Sequence, residues 1–150
     1  MLALITGASN GIGKDFAKEL SKQGYDLVLV ARSKEKLEKL SRELKTLVYI
    51  EVMDLSVREN VYKLYNKYQG KIDLLINNAG FGAFGKFIKT DLDNELNMID
   101  LNVTTYHILT KLFLQDFVKK DKGEILNVAS SAAFEPGPLM STYYATKSYV

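Results

Sequence analysis

The chain contains no cysteine, which excludes a disulfide framework, a thiolate nucleophile and a zinc site built on cysteine ligands. It has a single histidine, His107, and no carboxylate, histidine and serine follow one another in an order that suggests a hydrolase. His107 therefore reads as an ordinary helix residue. Only two prolines occur, Pro136 and Pro138, and they sit together in one loop, so nothing marks an internal linker. No apolar run approaches the ~20 residues that span a bilayer. The opening "MLALITGASNG" enters a strand and turn directly, without a charged and then apolar leader. The expectation is a cytoplasmic protein with no membrane partner. Lysine and arginine total 20 against 18 aspartates and glutamates, without a basic run or an aromatic and basic stripe. No nucleic-acid partner is expected, and no metal site is apparent.

What is present fits one domain: 150 residues, 47% hydrophobic and 25% charged, close to the average for globular proteins. Short β-rich runs alternate with helical periods. "LALIT" (Leu2–Thr6) is a continuous apolar run of the kind buried on both faces. Ile12, Phe16, Ala17 and Leu20 then recur at helical spacing, and Gly24 suits a left-handed helix end. Further strands are expected at 25–31, 47–52, 72–77 and 124–129. Between them, Leu37, Leu40 and Leu44 mark a second helix, and Val57, Val61, Leu64 and Tyr68 a third. Ser56 followed by Glu59 carries the capping-box signature. One long helix is expected from about Asp93 to Lys119, and another begins near Thr142. This alternation predicts an α/β fold, a Rossmann-like doubly wound parallel sheet with helices on both faces.

Three motifs fall at strand ends, where such sheets bind ligands. "TGASNGIG" spaces Gly7, Gly11 and Gly13 between a strand and a helix, a cradle for a pyrophosphate at a helix N-terminus; a plain tight turn would carry the same glycines. "NNAG" ends the fourth strand, and in a doubly wound sheet its loop flanks the same crevice as the first. Tyr143 and Lys147 are four apart on a helix and so share a face. A nearby ammonium favours a phenolate, which brings a tyrosine towards useful proton transfer. Tyr144 has only Ser148 at that spacing. Ser130 and Ser131 follow the fifth strand, where a hydroxyl can bond a carbonyl oxygen.

Taken together and in order, "TGASNGIG", the Asp54 of "MDLS", "NNAG", the Asn102 of "DLNVTT", a serine after the fifth strand and Y-x-x-x-K make the whole chain resemble the short-chain dehydrogenase/reductase family. The resemblance implies NAD(P)-dependent interconversion of a small-molecule carbonyl compound and an alcohol. In that family's pattern Tyr143 is the general acid/base, and Lys147 assists it and holds the nicotinamide ribose. The serine-to-tyrosine spacing favours Ser130 over Ser131 as the group that orients the substrate oxygen, and Asn102 supports a water-linked proton relay. The pyrophosphate loop comprises Gly7, Ser9, Asn10, Gly11, Ile12 and Gly13. Asp54 and Leu55 contact the adenine, and Asn78, with Ala79 and Gly80, lies by the adenosine ribose. After the second strand an acidic residue would favour NADH. This chain has Ala31, Arg32 and Ser33 there, so NADPH is the expected cofactor, with Arg32 on its 2′-phosphate.

The resemblance also implies further strands, so residues 1–150 are expected to be the N-terminal part of a longer single-domain enzyme, a homodimer or homotetramer when whole. A chain ending at Val150 is not expected to brace its last helix firmly. A regulatory protein that binds NADPH is the alternative, although it would have no need of the tyrosine and lysine. The three rings of "FGAFGKF" (81–87) suit either a substrate pocket or the core.

Overall fold

Strand β1 (Leu2–Thr6) is apolar along its length because both of its faces are covered. Ala3 and Ile5 point to one side, with Leu27 and Leu29 of β2 (Asp26–Ala31). Leu4 points to the other, with Val28 and Val30. This is the two-residue alternation of a pleated strand. The computed structural model, which describes residues 1–150, completes the sheet with β3 (Val48–Val52), β4 (Leu74–Asn77) and β5 (Glu124–Asn127). All pairings are parallel, in the order β3-β2-β1-β4-β5. The order reverses beside β1, so the loops after β1 and β4 diverge and leave a crevice at the carboxyl edge.

Helices α1 (Gly11–Lys22) and α2 (Lys34–Glu43) close one face, burying Ala17, Leu20, Leu37 and Leu40. Helices α3 (Arg58–Tyr68) and α5 (Thr105–Lys120) close the other through Val61, Leu64, Leu109 and Phe113. Gly24 follows α1 at φ +83°, as its position in the sequence implies. No helix is long and apolar enough to cross a membrane.

Three local expectations need correction. The long helix is interrupted: α4 (Leu92–Ile99) passes through a π turn at Asp100–Thr104 before α5 begins. The capping box does not form, because Asp54 is the nearer partner. Both the amide and the hydroxyl of Ser56 donate to Asp54 Oδ1, at 2.9 and 2.7 Å, and Val57 becomes the N-cap of α3 without a side-chain bond. Ile12 leaves the apolar stripe of α1, being 60% exposed, because it opens the helix at the crevice.

Candidate active site

The crevice is a cleft of about 800 Å³, within the range of pockets that hold cofactors. Its two walls are tied by two side chains, Thr6 and Asn78. Thr6, the last residue of β1, accepts the N–H groups of Asn78 and Ala79 on its hydroxyl at 2.9 and 3.0 Å. Asn78 answers by donating its amide to the carbonyls of Thr6 and Gly7. The approach is so close that a Cβ added at Gly13 would overlap Gly7 O and Asn78 Nδ2. Gly13 is thus required by contact inside the wall, while Gly7, Ser9, Asn10, Gly11 and Ile12 line the cleft itself.

The first turn of α1 faces this space uncapped. Asn10 makes no side-chain capping bond and no acidic residue lies in that turn, so the leading N–H groups and the positive helix end are available to an anion. The other wall brings Asn78, Ala79 and Gly80, and the ends of β2 and β3 contribute Arg32, Ser33, Asp54 and Leu55. Arg32 Nη1 stands 3.9 Å from Asp54 Oδ2.

Helix α6 (Ser141–Tyr149) delivers Tyr143 and Lys147 to the same cleft. Tyr144 turns away and lays its ring against Gly137. Lys147 is 6% exposed and donates to Val128 O at 3.0 Å; burial pushes its ammonium below the usual lysine range. Asn102, fully buried in the π turn, accepts Phe81 N–H at 3.1 Å and donates to Phe81 O and Thr146 Oγ1 at 2.9 and 3.1 Å. Both of its amide hydrogens are therefore taken, and the side chain fastens α6 to the β4 loop.

Ser130 lies just outside the lining. Its hydroxyl accepts Ala132 N–H at 3.2 Å and retains its own proton to donate.

Further hydrogen bonds reach α6 from the rest of the chain. Besides Asn102 and Val128, Thr142 donates to the buried Glu95 at 3.3 Å and Ser148 to Ala133 O at 2.9 Å. His107 Nδ1 meets Tyr149 OH at 2.6 Å. These partners all precede the helix in sequence.

A family model described as short chain dehydrogenase matches residues 1–150. The chain belongs to the short-chain dehydrogenase/reductase family. The human very-long-chain 3-oxoacyl-CoA reductase is 36% identical over 157 residues, covering 99% of this chain and 50% of that protein. A short-chain dehydrogenase from Sphingobium yanoikuyae, solved in complex with NADPH, has a TM-score of 0.93 at 35% identity, over 99% of this chain and 60% of that one. A metagenomic short-chain oxidoreductase in complex with NADP gives 0.93 at 29% identity, over 99% and 71%. The chain thus spans about half the length of the curated relatives it matches.

The cleft also takes in residues to which the motifs assign no role. Lys36, Met53, Phe81 and Leu101 all line it. Lys36 had no signal of its own, because a lysine in the first turn of a helix looks like any solvated charge. Met53 and Leu101 had none either, because an apolar residue within a motif looks the same whether it faces core or cleft. The aromatic loop is resolved too: Phe81 lines the cleft, while Phe84 and Phe87 are 74% and 69% exposed, so neither of these two is core. The amide of Gly85 in that loop donates to Leu139 O at 2.8 Å, bringing the loop against the segment that leads into α6.

Proposed function

We propose that this chain is the cofactor-binding and catalytic part of an NADPH-dependent oxidoreductase that interconverts a carbonyl compound and an alcohol. One observation carries the reading. Tyr143 and Lys147, a turn apart on α6, face the same cleft onto which the uncapped glycine loop opens.

The residues suit the cofactor: free N–H groups at α1 for the pyrophosphate, Asp54 and Leu55 for the adenine, and Asn78 for the adenosine ribose. When bound, the nicotinamide supplies or accepts the hydride. In reduction, Tyr143 gives its phenolic proton to the substrate oxygen as that oxygen gains charge. Ser130 donates a hydrogen bond to the same oxygen and orients it. Lys147 spends one N–H on Val128 O and has two left, enough to hold ribose hydroxyls. Its ammonium, poorly solvated, acts strongly on the phenolate left behind. In oxidation each proton runs the other way. Asn102 is a positioning residue here, holding Thr146 beside Lys147 and so fixing the turn between tyrosine and lysine.

The exposed rings of Phe84 and Phe87 and the close approach of Gly82 to the Tyr143 ring favour a substrate with a large apolar group. The name of the human relative, a very-long-chain 3-oxoacyl-CoA reductase, supports the same class.

The test is Tyr143→Phe in the intact enzyme. Loss of the proton donor removes a contribution of roughly 10²–10⁴-fold, so turnover falls by that order while NADPH affinity, measured by fluorescence titration, is retained. Undiminished turnover would reject the mechanism.

A further inference from the structure

The end of the cleft away from Tyr143 carries a charge problem that a single arginine does not solve. A phosphate monoester bears about −1.5 to −2 at neutral pH. Arg32 offers one positive charge, and Asp54, 3.9 Å away, offsets part of it. A second cation is needed for balance, and one is present. Lys36, in the first turn of α2, lines the same cleft as Arg32 and forms no ion pair with any carboxylate.

Its one polar contact is a hydrogen bond from Nζ to Asn10 Oδ1 at 3.2 Å. An amide oxygen neutralises nothing, and an ammonium has three donors, so two remain for a ligand. The contact also accounts for a gap in α1. Asn10 holds the N-cap position, yet its side chain makes no capping bond and reaches across to α2 instead. The Ser33 hydroxyl, at the N-cap of α2, likewise makes no capping bond. The Arg32 and Asp54 side chains are 72% and 37% exposed, and so loose a pair is worth little in water. Arg32 can therefore turn to a phosphate at small cost.

We infer that Lys36 is a second specificity-determining residue for the 2′-phosphate of NADPH, held over the cleft by Asn10 and acting beside Arg32. The inference rests on the NADPH reading above, and it adds a link: the residue that reads the phosphate is also tied to the loop that cradles the pyrophosphate. Filling one subsite thereby orders the other.

The experiment measures binding of NADPH, NADH and 2′,5′-ADP to the intact enzyme, the last as a probe of the phosphate without the nicotinamide. Lys36→Ala weakens NADPH and 2′,5′-ADP roughly tenfold, as expected for a charge-assisted bond, and NADH by less than about twofold. Lys36→Arg keeps most of the affinity. Asn10→Ala weakens NADPH in the same direction, and adding Lys36→Ala to it costs less than Lys36→Ala alone. Equal loss of NADH and NADPH would make Lys36 a brace for the glycine loop and overturn the inference, as would unchanged NADPH affinity. If Arg32→Glu abolishes the preference for NADPH while Lys36→Ala leaves it intact, the cofactor reading stands and the role of Lys36 falls. If the unmodified enzyme binds NADH as tightly as NADPH, both fall.

Discussion

At Gly13 two opposing effects can be weighed. Alanine within a helix normally gains about 0.5–1 kcal/mol over glycine. Here the new methyl would meet backbone, the carbonyl oxygen of Gly7, and the amide of Asn78, neither free to yield without parting the walls. Overpacking of this kind costs about 1–3 kcal/mol, so the clash wins. Gly13→Ala is expected to lower the urea midpoint; a rise would show that the walls are not in such contact. The same residue shows what was legible. A glycine, an asparagine or a Tyr-x-x-x-Lys pair states its chemistry by type and spacing, so almost every residue proposed for the cleft from sequence lies on it. Gly13 and Asn102, placed in the site by motif, lie behind its lining; a motif does not record which neighbour a residue touches. Lys36 was passed over for the opposite reason: a lysine on an exposed helix turn is indistinguishable from any solvated charge until the adjoining loop is in place.

At the scale of elements, the turn at Asp100–Thr104 is where local reading fails. Residues 92–120 contain no glycine or proline, so nothing local marks the extra residue that a π turn takes into the helix. What holds Asn102 there lies far off in sequence, at Phe81 and Thr146. Asn102→Ala removes three hydrogen bonds and leaves the Phe81 backbone groups without partners, a loss of about 1–3 kcal/mol for a buried group. The larger expected effect is on rate. With α6 loosened, kcat falls by about tenfold or more while the KM for NADPH moves little, since positional errors near 1 Å at a reacting group are costly. Steady-state kinetics on the variant separates the two, and a change confined to KM would place Asn102 in binding instead. The capping box failed for a related reason: Asp54, two residues ahead of Ser56, competes for both of its donors, and the motif names only the partner behind.

For the whole molecule, three buried phenols set the response to alkali. Burial raises Tyr65, Tyr68 and Tyr106 above the ordinary tyrosine value of 10.0, and carboxylates at Asp116 and Glu51 add to this for the first two. Above pH ~10 the unfolded chain loses these protons while the folded one keeps them, so the folded state binds more protons and stability falls as pH rises, by up to about 1.4 kcal/mol per pH unit for each group. Lys147, shifted the other way, adds a slope of opposite sign below its unfolded value and tempers only the start of the decline. Chemical denaturation at a series of pH values should show a steep loss above pH ~10, softened by Tyr68→Phe; a flat profile would mean the phenols ionise freely in the folded state. The strand order carries a last consequence, for the timing of assembly. The glycine loop is complete once residue 13 is made, but the amides that lock onto Thr6 belong to Asn78 and Ala79, 72 and 73 residues later. A chain emerging from the ribosome N-terminus first thus makes the glycine loop long before the wall that faces it, and the proposed cofactor cleft is complete only when the fourth strand has threaded in beside the first.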